Sequence, residues 1–475
     1  MKLDGIDIPE TVASIKKQID DDSSVSPALR ASINLMILIV TLLCNRLGLN
    51  SQNSSKPPSS DPNRKKKATA DPKSKPGGQK GRKGVTLTKF DKPDVVKKLT
   101  VAKKLIGKGN FKEVGVETRQ VVDIEFKRVI TEYQAQVLED ENGKRLVAKF
   151  PEGISRPVQY GEQIKAHAVY LSQYQLLPYE RIGEYFNEQL AIPVSAGSLH
   201  NFINEAYEHI IELEIDKRLK QALQRESVIH CDETGINING QRQWLHNASS
   251  AQWTWFYPHA KRGFEAMEEA GVLSGYRGIM CHDHWKPYYK YTIPEHSLCN
   301  AHHLRELTRA YDQDEQRWAE EMRLFLLDTN KAVEAAGGKL NEKQEQNTRQ
   351  RYREILEKGE LESPPPKPIV GKRGRVKKTP SRNLLERLQA YENDVLRFAV
   401  HESVPFTNNQ GENDIRMTKV HQKISDCFRS ENGAKMFCAI RSYLSSCKKQ
   451  GVSASAAMSL LFSGHLPDIF ILGGE

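Results

Sequence analysis

The spacing of apolar residues changes at Arg225, and this change limits the possible fold more than any other feature of the chain. Residues 161–224 carry helical spacing; beyond them come short runs of strand length separated by turn residues. Residues 227–232 read as a short buried strand. Residues 236–238 and 245–247, separated by a turn at Gly240, and then 253–257 extend the signal into a meander. Residues 263–271 read as a helix and 278–282 as the next strand. A helix-free stretch through Tyr291 leads to a strand at 296–298 and a helix from Ala301.

The order β-β-β-α-β-x-β-α is that of a ribonuclease H-like mixed sheet, a meander followed by α/β crossovers. Residues 305–401 are then mostly helical and charged and read as a helical insertion, and residues 402–475 return to helix. The expected fold class is α+β and multidomain: a ribonuclease H-like mixed sheet (first part 225–304) interrupted by the insertion, preceded by helical and small β DNA-binding regions.

Those leading regions divide by composition. Within residues 1–49, residues 27–49 form one helix in which Leu29, Ile33, Met36, Val40, Leu43 and Leu47 keep the a/d spacing of a coiled-coil seam. Leu35, Ile37, Leu38, Ile39 and Leu42 make it apolar nearly all round, so a core helix fits equally well. Residues 50–90 turn abruptly to Ser, Pro, Gly, Lys and Asn, a disordered basic linker in which Lys65, Lys66, Lys67, Lys80, Arg82 and Lys83 are candidate phosphate contacts. Residues 91–160 alternate at 120–129 and 131–138 ahead of a hairpin turn at Asp140, Asn142 and Gly143, and read as a small β unit. Within 161–224, a helix over 179–189, a break at 192–194 and a second helix capped by Ser195 have the rhythm of a helix-turn-helix, or equally of an αα-hairpin.

Charge narrows the partner. The formal net charge is +10 and the excess is clustered, which points to a polyanion. A bilayer is disfavoured by length, since the most apolar run, residues 33–44, is about 12 residues against the roughly 20 needed to span. Seven cysteines without a CxxC pair suit a reducing cytoplasm.

Three carboxylates carry the chemistry. Asp232 ends the first strand in VIHCDETG, Asp283 ends the fourth in GIMCHDHW, and Glu412 lies near the start of a late helix in NNQGENDIRMTK. Two-metal phosphoryl transfer needs acids converging from different elements to hold ions roughly 3.5–4 Å apart, and magnesium prefers such oxygen ligands. Adjacent strand residues point to opposite faces, so Asp232, and not Glu233, is expected to face Asp283. Glu402 precedes Pro405, and Asp414 lies about 200° around the helix from Glu412, so neither is expected to replace Glu412.

These motifs, with the ordered set NSSKPPSSD, GGQKGRKG, YERIGEYFNEQLAIPVSAGSLHNFI, CNAHHLREL, FRSENG and AIRSYLSSCKKQG, make the sequence similar to the insertion-sequence-sixty-six family of DDE transposases over nearly the whole chain. The resemblance implies cleavage at the ends of a mobile DNA element and transfer of the freed 3′-hydroxyls to target DNA. It implies Asp232, Asp283 and Glu412 as catalytic metal ligands for two Mg2+ or Mn2+ ions. It also implies double-stranded DNA as partner, a homodimer or higher oligomer on that DNA, and accessory proteins from the same element. The family's cysteine-rich zinc unit has no counterpart here, because residues 91–160 contain no cysteine. A nuclease of the same fold, a derivative kept for DNA binding, and a non-enzymatic regulator are the alternatives.

His302 and Arg305, and after Glu412 the residues Arg416, Lys419, Lys423 and Arg429, are candidate DNA contacts. Trp253 and Trp255 read as sheet core, Trp285 and Tyr288 as flanks of the scissile DNA. Cys281, His282, His284, Cys299, His302 and His303 suggest zinc, but strand alternation splits the first three between two faces, and no zinc is expected.

Overall fold

The computed structural model describes residues 2–3, 6–54, 61, 87–102, 104, 111–112, 114–366 and 376–471. The chain folds as two units: residues 1–64, 156–184 and 193–475 form the larger, residues 65–155 and 185–192 the smaller. Lys65, Lys66, Lys67, Lys80, Arg82 and Lys83 lie outside the described residues.

The larger unit is α+β, built on a mixed five-stranded sheet. Its strands are β1 (Val228–Ile238), β2 (Gln241–Ser249), β3 (Thr254–His259), β4 (Ile279–His282) and β5 (Glu295–Leu298), in the order β3-β2-β1-β4-β5. β1 to β3 form the antiparallel meander; β4 and β5 run parallel to β1. Asn239 and Gly240 close the first hairpin with φ of +49° and +79°, the paired left-handed conformation of a tight two-residue hairpin turn. The strand at 227–232 and the one at 236–238 are a single strand, so Asp232 does not end β1. It lies just beyond the parallel pairing with β4, which stops at His230–Cys281, while β2 holds β1 extended to Ile238.

Helices α1 (Phe264–Ala270) and α2 (Asn300–Asp314) follow β3 and β5. The insertion supplies α3 (Arg317–Ala335), α4 (Glu342–Glu362), α5 (Pro380–Ala390) and α6 (Glu392–Val400), and the C-terminal part supplies α7 (Asn409–Ser425) and α8 (Glu431–Lys449). Val228, His230, Asp232, Thr234, Ile236 and Ile238 share one face of β1 by alternation. Val228 joins an apolar cluster with Ile279, Cys281 and Leu298 of the sheet and Leu307, Trp318, Tyr352, Leu385 and Phe398 of α2 to α6. Ile236 and Ile238 join a second cluster with Leu245, Phe256, Ile415 and Phe437. Burying each large side chain contributes roughly 1.5–3 kcal/mol, so the insertion is packed onto the sheet and not merely tethered to it. Along β1, Asp232 falls between the two clusters.

The N-terminal helix Pro27–Leu47 starts at Ser26, whose Oγ accepts the Leu29 N–H at 3.3 Å. Leu29, Met36, Val40, Leu43 and Leu47 are exposed on it. The helix has 21 residues and a mean hydropathy of 1.9 over its best window, long and apolar enough by composition to cross a membrane. The length argument against a bilayer, built on a run of about 12 residues, therefore does not hold for the helix as formed.

In the smaller unit the expected strands at 120–129 and 131–136 do not form. Val121, Ile124, Val129 and Ile130 are exposed, and alternation without a second layer to bury it leaves a strand marginal. Among the described residues of this unit, only the hairpin Val137–Glu139 with Arg145–Val147 pairs. Its turn is the expected one: Asp140 Oδ1 accepts from Asn142 N and Lys144 N, and Gly143 takes φ +78°. Further along, helix Tyr179–Leu190 and helix Ala196–Glu212 lie where the break at 192–194 put them, and Ser195 Oγ accepts Ser198 N at 3.1 Å.

Candidate active site

Because His230 pairs with Cys281 on parallel strands, Asp232 and Asp283, each two residues further on, stand level at the open end of β4. Burial, then the charges of Glu233, Asp283 and Glu412, push the Asp232 carboxyl well above the usual carboxylate range. Burial also raises Asp283, opposed by the Trp285 N–H at 3.0 Å and the cations Arg262 and Arg387.

Glu412 reaches this pair because the start of α7 is clamped to the sheet. Asn408 Nδ2 donates to the Cys231 carbonyl and Asn408 Oδ1 lies 2.8 Å from His230 Nδ1. Asn247 Nδ2 donates to the Gly411 carbonyl at 3.3 Å. A Cβ on Gly411 would meet the Asn408 amide at 3.2 Å, so the helix start lies close against its anchor. Glu412 Oε1 is buried without a hydrogen-bond partner, and none of the three carboxylates forms an ion pair among the described residues.

A family model described as the IS66 transposase family matches residues 157–436, more than half of the chain, including β1 to β5, α1 to α7 and the first turn of α8. The chain belongs to the IS66 transposase family. Residues 11–88 match a second model, a family of unknown function (DUF6444). No curated protein matches the chain.

In this IS66-family chain the neighbours of the carboxylates include several residues that motif reading did not single out. Glu233 is almost fully buried, accepting from Arg262 Nε at 2.9 Å and Tyr288 Oη at 2.6 Å. Its pKa is raised by burial and then by Asp283. The charge of Asp283 thus acts on Glu233 as well as on Asp232, because Asp283 lies past the end of its strand, at the rim, where its charge reaches both faces of β1. The Arg262 guanidinium is held between the rings of Trp244 at 4.9 Å and Trp285 at 4.0 Å. Tyr288 is buried and bonded to Glu233, so it does not flank DNA; Trp285 is half-buried. Trp255 is sheet core as expected.

From the insertion, Arg387 of α5 pairs with Glu306 of α2, and its charge acts on Asp283, His284, His302 and His303. His302 is pushed down to about 4 by burial and then by Arg305 and Arg387, which leaves it neutral at pH 7. His302 Nδ1 and Arg305 Nε are both buried without a partner among the described residues. Lys419 Nζ donates to the Gly235 carbonyl at 2.9 Å, and burial lowers its pKa. Arg416, Lys423 and Arg429 are exposed.

The cysteines and histidines separate. His282 is bonded to His296 at 2.9 Å, His303 to Asn300 at 3.0 Å, and His284 packs on Tyr391. Cys299 and His302 instead group with Glu412, one ligand atom from each lying within 4.8 Å of the others. Spacing could have suggested the Cys299–His302 half, since i and i+3 share a helix face; nothing local could have suggested Arg387.

Proposed function

We propose that the chain is a DNA transposase with a ribonuclease H-like core, cleaving strands at the ends of a mobile element and joining the freed 3′-hydroxyls to target DNA. The observation that carries this reading is the meeting of Asp232, Asp283 and Glu412 from β1, the end of β4 and α7, with no cation paired to any of them among the described residues. Three mutually repelling carboxylates at the rim of a sheet, one oxygen lacking any partner, are the donor set that suits Mg2+ or Mn2+. Such ions would activate the attacking oxygen and steady the leaving one.

The protein's own part is to hold the three acids in place and to seat the DNA. Asn408 and Asn247 fix Glu412 over β1. Arg262, stacked between two indoles, and Arg387 present positive charge beside Asp283, where a phosphate of double-stranded DNA would lie. The linker at 50–90, the exposed Arg416, Lys423 and Arg429, and the helices at 161–224 supply further DNA contact, with an oligomer of the chain on the DNA in the cytoplasm. The deciding experiment incubates purified protein with labelled element-end DNA and Mg2+ or Mn2+, then maps the 3′ ends. Cleavage at the ends followed by joining supports the reading; cleavage without joining reduces it to a nuclease; no metal-dependent cleavage removes it.

A further inference from the structure

We propose that Cys299, His302 and Glu412 form a second binding site, sharing Glu412 with the carboxylate set, for a thiophilic divalent cation of the zinc class. Cys299 is the N-cap residue of α2, and His302 stands one turn along the same helix. Glu412 reaches them from the first turn of α7. Sulfur, nitrogen and oxygen ligand atoms lie within 4.8 Å of one another. A tetrahedral zinc ion would set them roughly 3.3–3.6 Å apart, so binding draws the three side chains together by about an ångström.

Two of the three residues are short of partners. His302 Nδ1 and Glu412 Oε1 are buried and unbonded among the described residues, although a buried polar atom without a partner is costly to the fold. The Cys299 sulfur accepts the Asn408 N–H at 3.1 Å and so has its sulfur fixed in place. A thiolate and a carboxylate together balance the charge of one divalent ion, so the loaded site is neutral beside Arg305 and Arg387. The thiol proton leaves on binding. Mixed S, N and O donors with a fourth position open select the zinc class over magnesium. The site needs only these side chains and stands apart from the transposase reading. Its consequence rests on that reading: because Glu412 is shared, an ion bound here withdraws one ligand from the magnesium set.

The test titrates metal-free full-length protein with Co2+ and reads the near-ultraviolet sulfur-to-cobalt charge-transfer band. One equivalent per chain should bind with that band. Cys299→Ser should abolish it, Cys281→Ser should retain it, and His302→Gln should weaken binding by about tenfold or more, since even outer-shell losses cost roughly 10–100-fold. A wild type without the band, a band surviving in Cys299→Ser, or unchanged affinity in His302→Gln overturns the proposal. If Cys299→Ser loses its melting transition, the His302→Gln affinity decides. In parallel, Zn2+ added to the Mg2+ reaction should inhibit cleavage, read as a ratio within each variant. A cobalt site with no Mg2+-dependent cleavage in any sample would sink the transposase reading and leave this one standing.

Discussion

Asn408 grips β1 across a single peptide, donating from Nδ2 to the Cys231 carbonyl while its Oδ1 meets His230 Nδ1, each at 2.8 Å. Asp232 is the next residue, and Glu412 lies one helical turn after Asn408. Together with Asn247 on the Gly411 carbonyl, this side chain therefore sets the distance between two of the three carboxylates. Asn408→Ala would strip both bonds in a buried place, and leaving such groups unsatisfied costs about 1–3 kcal/mol. A lowered melting temperature is expected, with cleavage falling further than the lost folded fraction explains. Unchanged melting and cleavage would show that the clamp does not position Glu412.

Asp232→Asn and Asp283→Asn should each abolish cleavage and leave DNA affinity nearly intact, because phosphate contacts come mainly from basic groups. Neither variant should melt below wild type in metal-free buffer. Both carboxyls are raised by burial, and Asp232 also by its acidic neighbours, so removing a charge relieves repulsion. Full cleavage by either variant would take that residue out of the site.

A half-buried histidine predicts the acid limb of stability. His421 is pushed down to about 4 by burial and then by Arg441, stacking on Phe428, its Nδ1 without a partner among the described residues. Its folded pKa lies below the unfolded value of about 6.5, so the unfolded chain binds the extra proton. Its contribution is therefore present above pH 6.5 and lost as pH falls from there towards 4. The loss is at most about 1.4 kcal/mol per pH unit. His421→Phe should flatten the fall of melting temperature across that window. Parallel curves for the two proteins would contradict the assignment.

DNA affinity should fall steeply with salt, and deleting residues 62–86 should flatten the dependence. That stretch holds nine basic residues and one acidic one. The log–log slope changes by roughly 0.9 for each duplex phosphate the protein no longer neutralises. An equal slope after deletion would make the segment a tether.

The strands leading to Asp232 and Asp283 are legible in the sequence because a buried strand announces itself over a few residues, as IMCH and VIHC do. The same rule failed at 120–136, where alternation is present but the exposed Val121, Ile124 and Val129 have no second layer to pack on. Arg387 was invisible for the opposite reason. It follows Asp283 by about a hundred residues, and only the packing of α5 on α2 brings its charge to the carboxylates. Asn408 lay within the NNQGEN motif, but a side chain that turns from its own helix to a strand carries no local signature.

Three acids close together in sequence now have separable roles. Glu402 is exposed in the turn after α6. Asp414 accepts from Lys449 Nζ at 2.7 Å and from Gln410 at 3.0 Å, both ends of the ion pair largely buried. Glu412 forms no ion pair among the described residues, with Arg416 or any other cation, and its Oε1 is unbonded. Glu402→Gln should therefore change neither melting nor cleavage. Asp414→Asn leaves Lys449 inside without its counter-charge, and breaking such a pair costs up to about 3–5 kcal/mol, so melting should drop and cleavage should track the folded fraction. Glu412→Gln loses no partner and should melt like wild type, yet cleave nothing. The three proteins need only thermal melting and the element-end cleavage assay side by side. Cleavage at the wild-type rate by Glu412→Gln would remove it as a ligand. Loss of cleavage in fully folded Asp414→Asn would move the third carboxylate two residues along α7.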